Sequence, residues 1–195
     1  LDAVLVPFHV RPADLAAALD GFRALANLGG VLVTIPHKEA ILDLVDGTGP
    51  QAARVGAGNV VRRTAAGRLE AENFDGLGFV AGLEAAGHAV AGRDVLLVGA
   101  GGAGKAIAYA LAEAGVRRLV VANRNAARAE ALAAGVRGAF PTVETAAGPA
   151  APAGFDLVVN ATSLGLKPDD PLPVDPAAAG PDTVIADIIM KPERT

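Results

Sequence analysis

The segment of residues 95 to 124, VLLVGAGGAGKAIAYALAEAGVRRLVVANR, limits the possible folds more than any other part of the sequence. It starts with an all-apolar run, passes through a glycine-rich turn into a helical stretch with few polar residues, and ends in a second apolar run. Strands of a parallel sheet have this composition because helices cover both faces of the sheet. We therefore predict a βαβ unit of a Rossmann-type α/β sheet.

The glycine turn of this segment predicts a dinucleotide site. Gly99, Gly101 and Gly104 have the spacing G-x-G-x-x-G, directly after a strand and before a helix. The first glycine permits the tight turn, the second lets the backbone approach a pyrophosphate, and the third permits close packing of helix and strand. Ordinary tight packing would give the same spacing, so the prediction depends on the strand-turn-helix context. The predicted phosphate-binding residues are Gly99, Gly101, Gly102, Ala103 and Gly104.

The end of the second apolar run indicates which dinucleotide binds. An NAD site normally has an acidic residue about 20 residues after the glycines, where it holds the ribose hydroxyls. Residues 122 to 130 read ANRNAARAE and have no acid at that place. Arg124 and Arg128 can instead pair with a 2'-phosphate, with Asn123 as a hydrogen-bonding neighbour, because guanidinium groups match phosphate oxygens. The sequence therefore predicts NADP, although two solvated surface arginines would give the same pattern.

Composition excludes several other classes of function. The 195 residues include 17 basic and 21 acidic ones without long like-charged blocks, which argues against binding to nucleic acid or anionic lipid and favours a small-molecule partner. No run of 18 residues is free of charged and turn residues, so we expect no membrane span. The absence of cysteine excludes disulfides and thiolate chemistry and fits a cytoplasmic protein. Three scattered histidines, His9, His37 and His88, predict no metal site.

The first third of the chain has the pattern of β-α-β-α units, which predicts a small parallel sheet. Glycines after residue 28 and at position 47 would end its two helices. The predicted elements are strands at residues 4 to 10 and 31 to 35, and helices at residues 12 to 28 and 37 to 45.

The remaining elements are predicted from alternation and glycine positions. Residues 59 to 73 contain two alternating runs joined by small residues, which is typical of a β-hairpin. A helix follows that Asp75 opens and Gly87 closes. Beyond the βαβ unit, the pattern predicts a helix at 126 to 134, a loop at 141 to 154, and strands at 155 to 160 and 183 to 186.

Two polar residues are placed where dehydrogenase chemistry would need them. Oxidation of an alcohol by a dinucleotide requires a group that takes the hydroxyl proton while hydride moves. Lys38 follows a predicted strand at its carboxyl end, the edge where open α/β sheets bind ligands, and Asp75 begins a helix. Both could face one cleft. Each residue alone is also explained as a solvated lysine at a helix start and as a helix N-cap.

Seven motifs in one order relate the chain to a known family. VTIPHKEA, GAGNVV, NFDGLGF, VGAGGAGKA, ANR, NATSLG and ADIIMKP together resemble the shikimate dehydrogenase family, including its quinate dehydrogenase relatives, over nearly the whole chain. The resemblance implies reversible NADP-linked oxidation of shikimate to 3-dehydroshikimate, a step of chorismate and aromatic amino acid biosynthesis. It implies an N-terminal α/β substrate-binding domain at residues 1 to 76 and a Rossmann NADP-binding domain at 77 to 195. Compared with the family, both ends of the chain look short.

The resemblance also assigns roles to residues. The catalytic lysine and aspartate of the family fall on Lys38 and Asp75, and its substrate-contacting threonine and asparagine fall on Thr34 and Asn59. His37 is expected to be a packing or helix-start residue and not a second catalyst. The protein is expected to be a monomer or homodimer. The residues near the nicotinamide half of the cofactor would be Asn160, Ala161, Thr162 and Ser163.

Three departures from the family leave the substrate open. Leu32 stands where the family usually has asparagine, Phe74 where it often has threonine, and Met190 where tyrosine is common. Lost hydrogen-bonding groups can change specificity by large factors, so quinate or another hydroxylated ring acid is an alternative substrate. A methylenetetrahydrofolate dehydrogenase-like enzyme fits NFDGLGF and NATSLG less well. A non-catalytic nucleotide-responsive module would not need both Lys38 and Asp75.

Overall fold

The computed structural model describes residues 3–167 and 169–190 and divides the chain into two compact units, Leu1–Phe74 and Asp75–Thr195. We call them the first unit and the second unit. This division lies two residues before the predicted boundary between residues 76 and 77. The last two residues of the motif ADIIMKP lie outside the described residues.

The first unit contains a four-stranded sheet with short helices. Its strands have the spatial order β1-β3-β4-β2, and β3 and β4 form the predicted hairpin, with Val61 opposite Ala71. Helix α1 is preceded by a 3₁₀ turn at Pro12–Asp14, and a second 3₁₀ helix spans Ala40–Asp43. The elements are α1 (Leu15–Arg23), β1 (Gly30–Leu32), β2 (Gly47–Thr48), α2 (Pro50–Val55), β3 (Val60–Arg63) and β4 (Leu69–Glu72).

Alternation along the hairpin places the core on one face of this sheet. Val61, Leu69 and Ala71 are buried, whereas Arg62 and Glu70 between them lie on the other face and form an ion pair of 2.7 Å. Helix α1 contributes Leu19 to the same core, as its apolar residues at helical spacing predict.

The prediction of a parallel sheet in this unit is wrong. Strand β1 pairs antiparallel with β3, and only β2 runs parallel to its neighbour β4. Pairing direction depends on partners distant in sequence, which local patterns do not specify. Residues 4 to 10 form no strand in the described part of the first unit, and Val4, Leu5 and Phe8 are exposed.

The two helices predicted in this unit are shorter than expected. Helix α1 ends at Arg23, where the Ala24 N–H bonds to the Gly21 carbonyl three residues earlier, at 3.1 Å. Such a 3₁₀-type bond is common in the last turn of a helix. The helix predicted at 37 to 45 is only the 3₁₀ helix Ala40–Asp43.

The second unit has the predicted Rossmann architecture. Its described residues form a sheet of five parallel strands in the order β7-β6-β5-β8-β9. The elements are α3 (Asp75–Ala85), β5 (Asp94–Val98), α4 (Gly102–Glu113), β6 (Arg118–Ala122), α5 (Ala126–Ala139), β7 (Glu144–Ala147), β8 (Leu157–Asn160) and β9 (Val184–Asp187).

Strand β5 is buried over its whole length, as the apolar run from Val95 to Val98 predicts, and its first residue Asp94 is a buried carboxylate. Val95 and Leu97 belong to a large apolar cluster with helices α3, α4 and α5, whereas Leu96 and Val98 belong to a second cluster. Both faces of the sheet are therefore covered, which explains why the run contains no polar alternation.

Helices α3 and α4 approach closely at Gly76. A Cβ atom at this position would lie 2.1 Å from the Ala106 carbonyl oxygen and 2.9 Å from the Ala110 Cβ. The glycine after Asp75 in NFDGLGF thus has a packing reason inside the second unit.

Two predictions in this unit need correction. The stretch predicted as a loop at 141 to 154 contains strand β7, which pairs with β6 although Thr145 alone among its four residues favours strands. Helix α5 continues to Ala139, five residues beyond its predicted end. Gly135 and Gly138 do not stop it, because a helix tolerates single glycines and this one buries Val136 in the core.

Candidate functional site

The glycine turn has the geometry that its motif predicts. Gly99 has φ +114°, and a Cβ there would lie 2.7 Å from the Ala161 carbonyl carbon. A Cβ at Gly104 would lie 2.1 Å from the Gly99 carbonyl oxygen, whereas Gly101 and Gly102 face open space. The first and third glycines therefore allow close packing, and the second leaves room for a ligand against the backbone.

The start of α4 supplies hydrogen-bond donors. Its N-cap residue Gly101 gives no side-chain cap. The first N–H groups of a helix have no acceptor within the helix, and here they belong to Gly102, Ala103 and Gly104. A pyrophosphate can accept from these groups, and helix starts favour anions.

Asn123 joins the glycine turn to the loop after β6. Its side-chain oxygen accepts from the Ala100 N–H at 3.2 Å, and its amide nitrogen donates to the Asn125 carbonyl at 3.0 Å. Asn125 in turn caps α5 by accepting from the Arg128 N–H. The side chain of Asn123 therefore fixes both loops relative to each other.

Of the two predicted phosphate-binding arginines, Arg124 lies on this fixed loop and Arg128 lies in the first turn of α5. Arg124 and Arg128 are exposed, and within residues 3–167 and 169–190 neither guanidinium has a hydrogen-bond or ion-pair partner. Two unpaired guanidinium groups at the end of the second Rossmann strand can receive a 2'-phosphate. These residues thus fit NADP.

The side chain of Asn160 forms hydrogen bonds to other residues of the second unit. It is buried, and its amide nitrogen donates to the Leu164 carbonyl at 2.9 Å and to the Asp187 carboxylate at 3.0 Å. Its oxygen accepts from the N–H and from the hydroxyl of Thr162. A primary amide has two donors and two acceptor sites, and these four bonds use all of them. Asn160 therefore shapes the turn and connects the ends of β8 and β9.

The other residues of this predicted group differ in exposure. Ala161 is buried against Gly99, Thr162 is half-buried and Ser163 is exposed. A cavity of about 340 Å³ opens beside Asn160 and Asp187. Sequence reasoning missed Asp187, which lies in the motif ADIIMKP and carried no role there.

In the first unit, the segment of residues 57 to 59 is a hydrogen-bonding hub. The Gly58 N–H donates to the Lys38 carbonyl at 2.7 Å, and the Asn59 carbonyl accepts from the Val33 N–H at 2.7 Å. Thr34 follows Val33 and is exposed, and Lys38 is half-buried. Three residues with predicted roles, Thr34, Lys38 and Asn59, are thus fixed by one short piece of backbone.

The same hub holds the residues that precede Asp75. The Asn59 side-chain oxygen accepts from the Phe74 N–H at 2.9 Å, and the buried Asn73 donates from its side chain to the Ala57 carbonyl at 2.9 Å. Asp75 itself is the first residue of α3, in the second unit, and not the residue that precedes the helix. Asn73 is a further residue whose role the sequence analysis did not assign.

His37 makes a hydrogen-bond contact within the first unit. Its Nε2 atom lies 2.9 Å from the Val10 carbonyl oxygen, which ties residues 4 to 10 to the turn before Lys38. Among the described residues, no group of histidine and carboxylate side chains is arranged to bind a metal ion. None of the described helices combines the length and apolarity needed to span a membrane.

Comparison with known proteins gives a consistent result for both units. The family described as "Shikimate dehydrogenase substrate binding domain" matches residues 1–61, and that described as "Shikimate / quinate 5-dehydrogenase" matches residues 83–166. A shikimate dehydrogenase (NADP(+)) of Geobacter metallireducens is 40% identical over an alignment that covers the whole of this chain and 70% of the relative.

Solved structures are similar over both units. Shikimate 5-dehydrogenase of Thermus thermophilus, solved with NADP(H) and shikimate, has a TM-score of 0.82 and 34% identity over 94% of this chain and 66% of that chain. The ligand-free 5-ketofructose reductase of Gluconobacter sp. strain CHM43 has a TM-score of 0.84 and 36% identity over 92% of this chain and 66% of that chain. The chain thus spans about two thirds of the length of these solved relatives.

Proposed function

Since the chain belongs to the shikimate dehydrogenase family, we propose that it catalyses the reversible NADP-linked oxidation of shikimate to 3-dehydroshikimate. The observation that carries the proposal is the bond from the Gly58 N–H to the Lys38 carbonyl, which fixes the lysine beside Asn59. A cation and an amide that start from neighbouring main-chain segments suit a hydroxylated carboxylate, in which each polar group needs a partner.

NADP is the cofactor of this reaction and, when bound, accepts or returns the hydride. We propose that the first N–H groups of α4, beginning at Gly102, hold its pyrophosphate, and that Arg124 and Arg128 hold its 2'-phosphate. The open space at Gly101 and the two unpaired guanidinium groups support this assignment. Asn160 would act indirectly, by shaping the turn that carries Thr162 and Ser163.

On the substrate side, the resemblance assigns proton transfer to Lys38 with Asp75 as its carboxylate partner. As the hydride leaves the ring carbon, Lys38 would take the hydroxyl proton, and in the reverse direction it would return that proton to the new alcohol. Thr34 and Asn59 would bind the other polar groups of the ring acid. The bond from the Phe74 N–H fixes which way the Asn59 amide points.

Lys38→Ala tests the proposed activity. We expect turnover to fall by about 100-fold or more, because the general acid-base group is lost, while NADP affinity stays close to that of the wild type. Formation of NADPH is followed by absorbance with shikimate, with quinate and without acid. Arg62→Ala, which removes an exposed cation of the first unit, is the control.

Two outcomes would contradict the proposal. A Lys38→Ala variant as fast as the wild type would remove the role given to the lysine. Binding of NADP without turnover of any ring acid would favour a nucleotide-responsive module.

The three departures from the family support one alternative, a dehydrogenase for another polyhydroxylated compound. Leu32, Phe74 and Met190 are all exposed, so each can meet a ligand or another part of a longer chain. A relative named as a 5-ketofructose reductase, at 36% identity, indicates that similar chains act on such compounds. Higher kcat/KM for quinate or a keto-sugar than for shikimate would favour this alternative.

Two further predictions from the sequence remain proposals: a cytoplasmic location and a monomeric or homodimeric state. The absence of cysteine supports the first. Light scattering during size-exclusion chromatography measures the second directly.

A further inference from the structure

The carboxylate of Glu72 links two parts of the first unit that are distant in sequence. Glu72 ends β4 and stands three residues before Asp75. Its Oε1 atom accepts from the Ala52 N–H at 2.7 Å and from the Asn73 N–H at 2.9 Å. Ala52 lies in the first turn of α2, whose N-cap Gly49 offers no side-chain cap, so Glu72 satisfies a donor that the helix leaves open.

Gly49 leaves the space that this carboxylate occupies. A Cβ at Gly49 would lie 2.1 Å from the Glu72 Oε2 atom and 2.7 Å from its carboxyl carbon. The φ of Gly49 is −73°, which any residue adopts, so the backbone conformation does not require glycine here. Glycine is required at position 49 because a larger side chain would occupy the space of the Glu72 carboxylate.

Helix α2 leads from this carboxylate directly into the hub at residues 57 to 59. The helix ends at Val55, its C-cap residue Gly56 has φ +72°, and the hub at residues 57 to 59 follows directly. Ala57 accepts from the Asn73 side chain, and the Asn59 N–H donates to the Glu72 carbonyl at 3.0 Å. Glu72 therefore holds the start of α2 with its side chain and the hub after α2 with its main chain.

We propose that Glu72 is a positioning residue for the reaction: it fixes the hub that carries Asn59 and holds Lys38, and the strand end that leads into Asp75. The inference rests on the proposed function, because the residues that it positions are those assigned to the ring acid. Glu72 need not touch the substrate, since a shift of about 1 Å in catalytic groups can lower the rate by about 100-fold.

Glu70 offers a matched control on the same strand and face. It also is a glutamate of β4, but among residues 3–167 and 169–190 its carboxylate pairs only with the exposed Arg62. Exposed ion pairs contribute little to stability. Glu70→Ala thus removes an equal side chain without releasing Ala52 or Asn73.

Steady-state kinetics with the full chain separate a positioning role from a purely structural one. We expect Glu72→Ala to lower kcat by about 10-fold to 100-fold, with the affinity for NADP within about twofold of the wild type, because the NADP residues lie in the second unit. Glu70→Ala should stay within about twofold in both. Glu72→Gln, whose side-chain oxygen can still accept both N–H groups, should recover most of the lost rate.

A double-mutant cycle tests the pairing with Gly49. Gly49→Ala should lower kcat in the wild type because its methyl group displaces the carboxylate, and should lower it less in the Glu72→Ala background, where the clash is absent. Equal factors in both backgrounds would overturn the inference. So would a Glu72→Ala variant that matches Glu70→Ala, or one whose NADP affinity falls in parallel with kcat.

Amide hydrogen exchange gives a measurement that does not depend on activity. Glu72→Ala should speed exchange at Ala52, Gly58 and Phe74, and Glu70→Ala should not. Unchanged exchange at Gly58 and Phe74 would overturn the positioning role whatever the substrate is. If the wild type turns over no ring acid but Glu72→Ala shows the faster exchange, the proposed function is contradicted. The role of Glu72 in holding the hub in place would still stand.

Discussion

The two units present their functional residues by different means. In the second unit, strands buried on both faces lead into turns that carry the first N–H groups of α4, beginning at Gly102, and the guanidinium group of Arg124. Neither has a hydrogen-bond acceptor among the described residues. In the first unit, the sheet is mixed and its buried core is small, and the residues with proposed roles are held by hydrogen bonds to the hub at 57 to 59.

This difference suggests how each unit responds to mutation. A site built on a large packed core depends on shape, so added volume at a close contact should damage it most. A site held by individual polar bonds depends on each acceptor and donor, because removing one leaves its partner unsatisfied. Added volume should therefore damage the second unit most, and loss of a single hydrogen bond should damage the first unit most. The substitutions at Glu72 test the expectation for the first unit.

Gly76→Ala should have the largest effect on stability. Its Cβ would lie 2.1 Å from the Ala106 carbonyl oxygen, a backbone atom that moves only if α4 moves. We expect the free energy of unfolding to fall by about 3 kcal/mol in a denaturant titration. Gly82→Ala in the same helix has nothing within 4 Å and should raise it by up to about 1 kcal/mol. Equal stability of the two variants would refute the packing explanation.

The same contrast explains which elements could be predicted from the sequence. Strands β5, β6 and β8 are largely apolar, and burial on both faces gives that pattern regardless of the partner strand. Strand β2 has two residues, Gly47 and Thr48, and exists only because it pairs with β4. The direction of β1 likewise depends on β3, about 30 residues away in sequence, so the local pattern could not give it.

The site residues divide in a similar way. Gly99, Gly104 and Arg124 lie within one strand-turn-helix-strand unit, so their spacing in this local context is enough to predict them. The links from Glu72 to Ala52 and from Asn160 to Asp187 join residues 20 and 27 positions apart. No short motif contains both partners of either link, and these contacts could be found only in the folded chain.

Arg124→Ala should change ligand binding without changing stability. We expect the KM for NADP to rise by about tenfold, because a charge-assisted bond to the 2'-phosphate is lost, while the KM for NAD stays nearly the same. Arg93→Ala, at the amino end of β5, is the charge-matched control. Equal effects on the KM values for NADP and NAD would contradict the assignment of Arg124 to the 2'-phosphate. A fall in the melting temperature would show that the Arg124 side chain stabilises the fold and is not free to bind a ligand.

Asp46→Asn should have the smallest effect, and one that depends on pH. The Asp46 carboxylate accepts from the Arg23 guanidinium and from the Leu69 N–H, both at 2.7 Å, and these bonds, the arginine first, lower the pKa of Asp46 below its ordinary value. A lowered pKa in the folded state means that the ionised form stabilises the fold. That contribution is complete above the unfolded pKa of about 3.9 and disappears as the pH falls through the lower folded value.

Melting curves of the wild type and of Asp46→Asn should therefore differ slightly at neutral pH and converge in acid. Asp43→Asn removes an exposed carboxylate nearby that has no partner among the described residues, and should leave the melting temperature unchanged throughout. A difference for Asp46→Asn that stays constant down to about pH 3 would mean that charge does not stabilise this link. The polar bonds of the first unit would then act through geometry alone, which would narrow the contrast with the second unit.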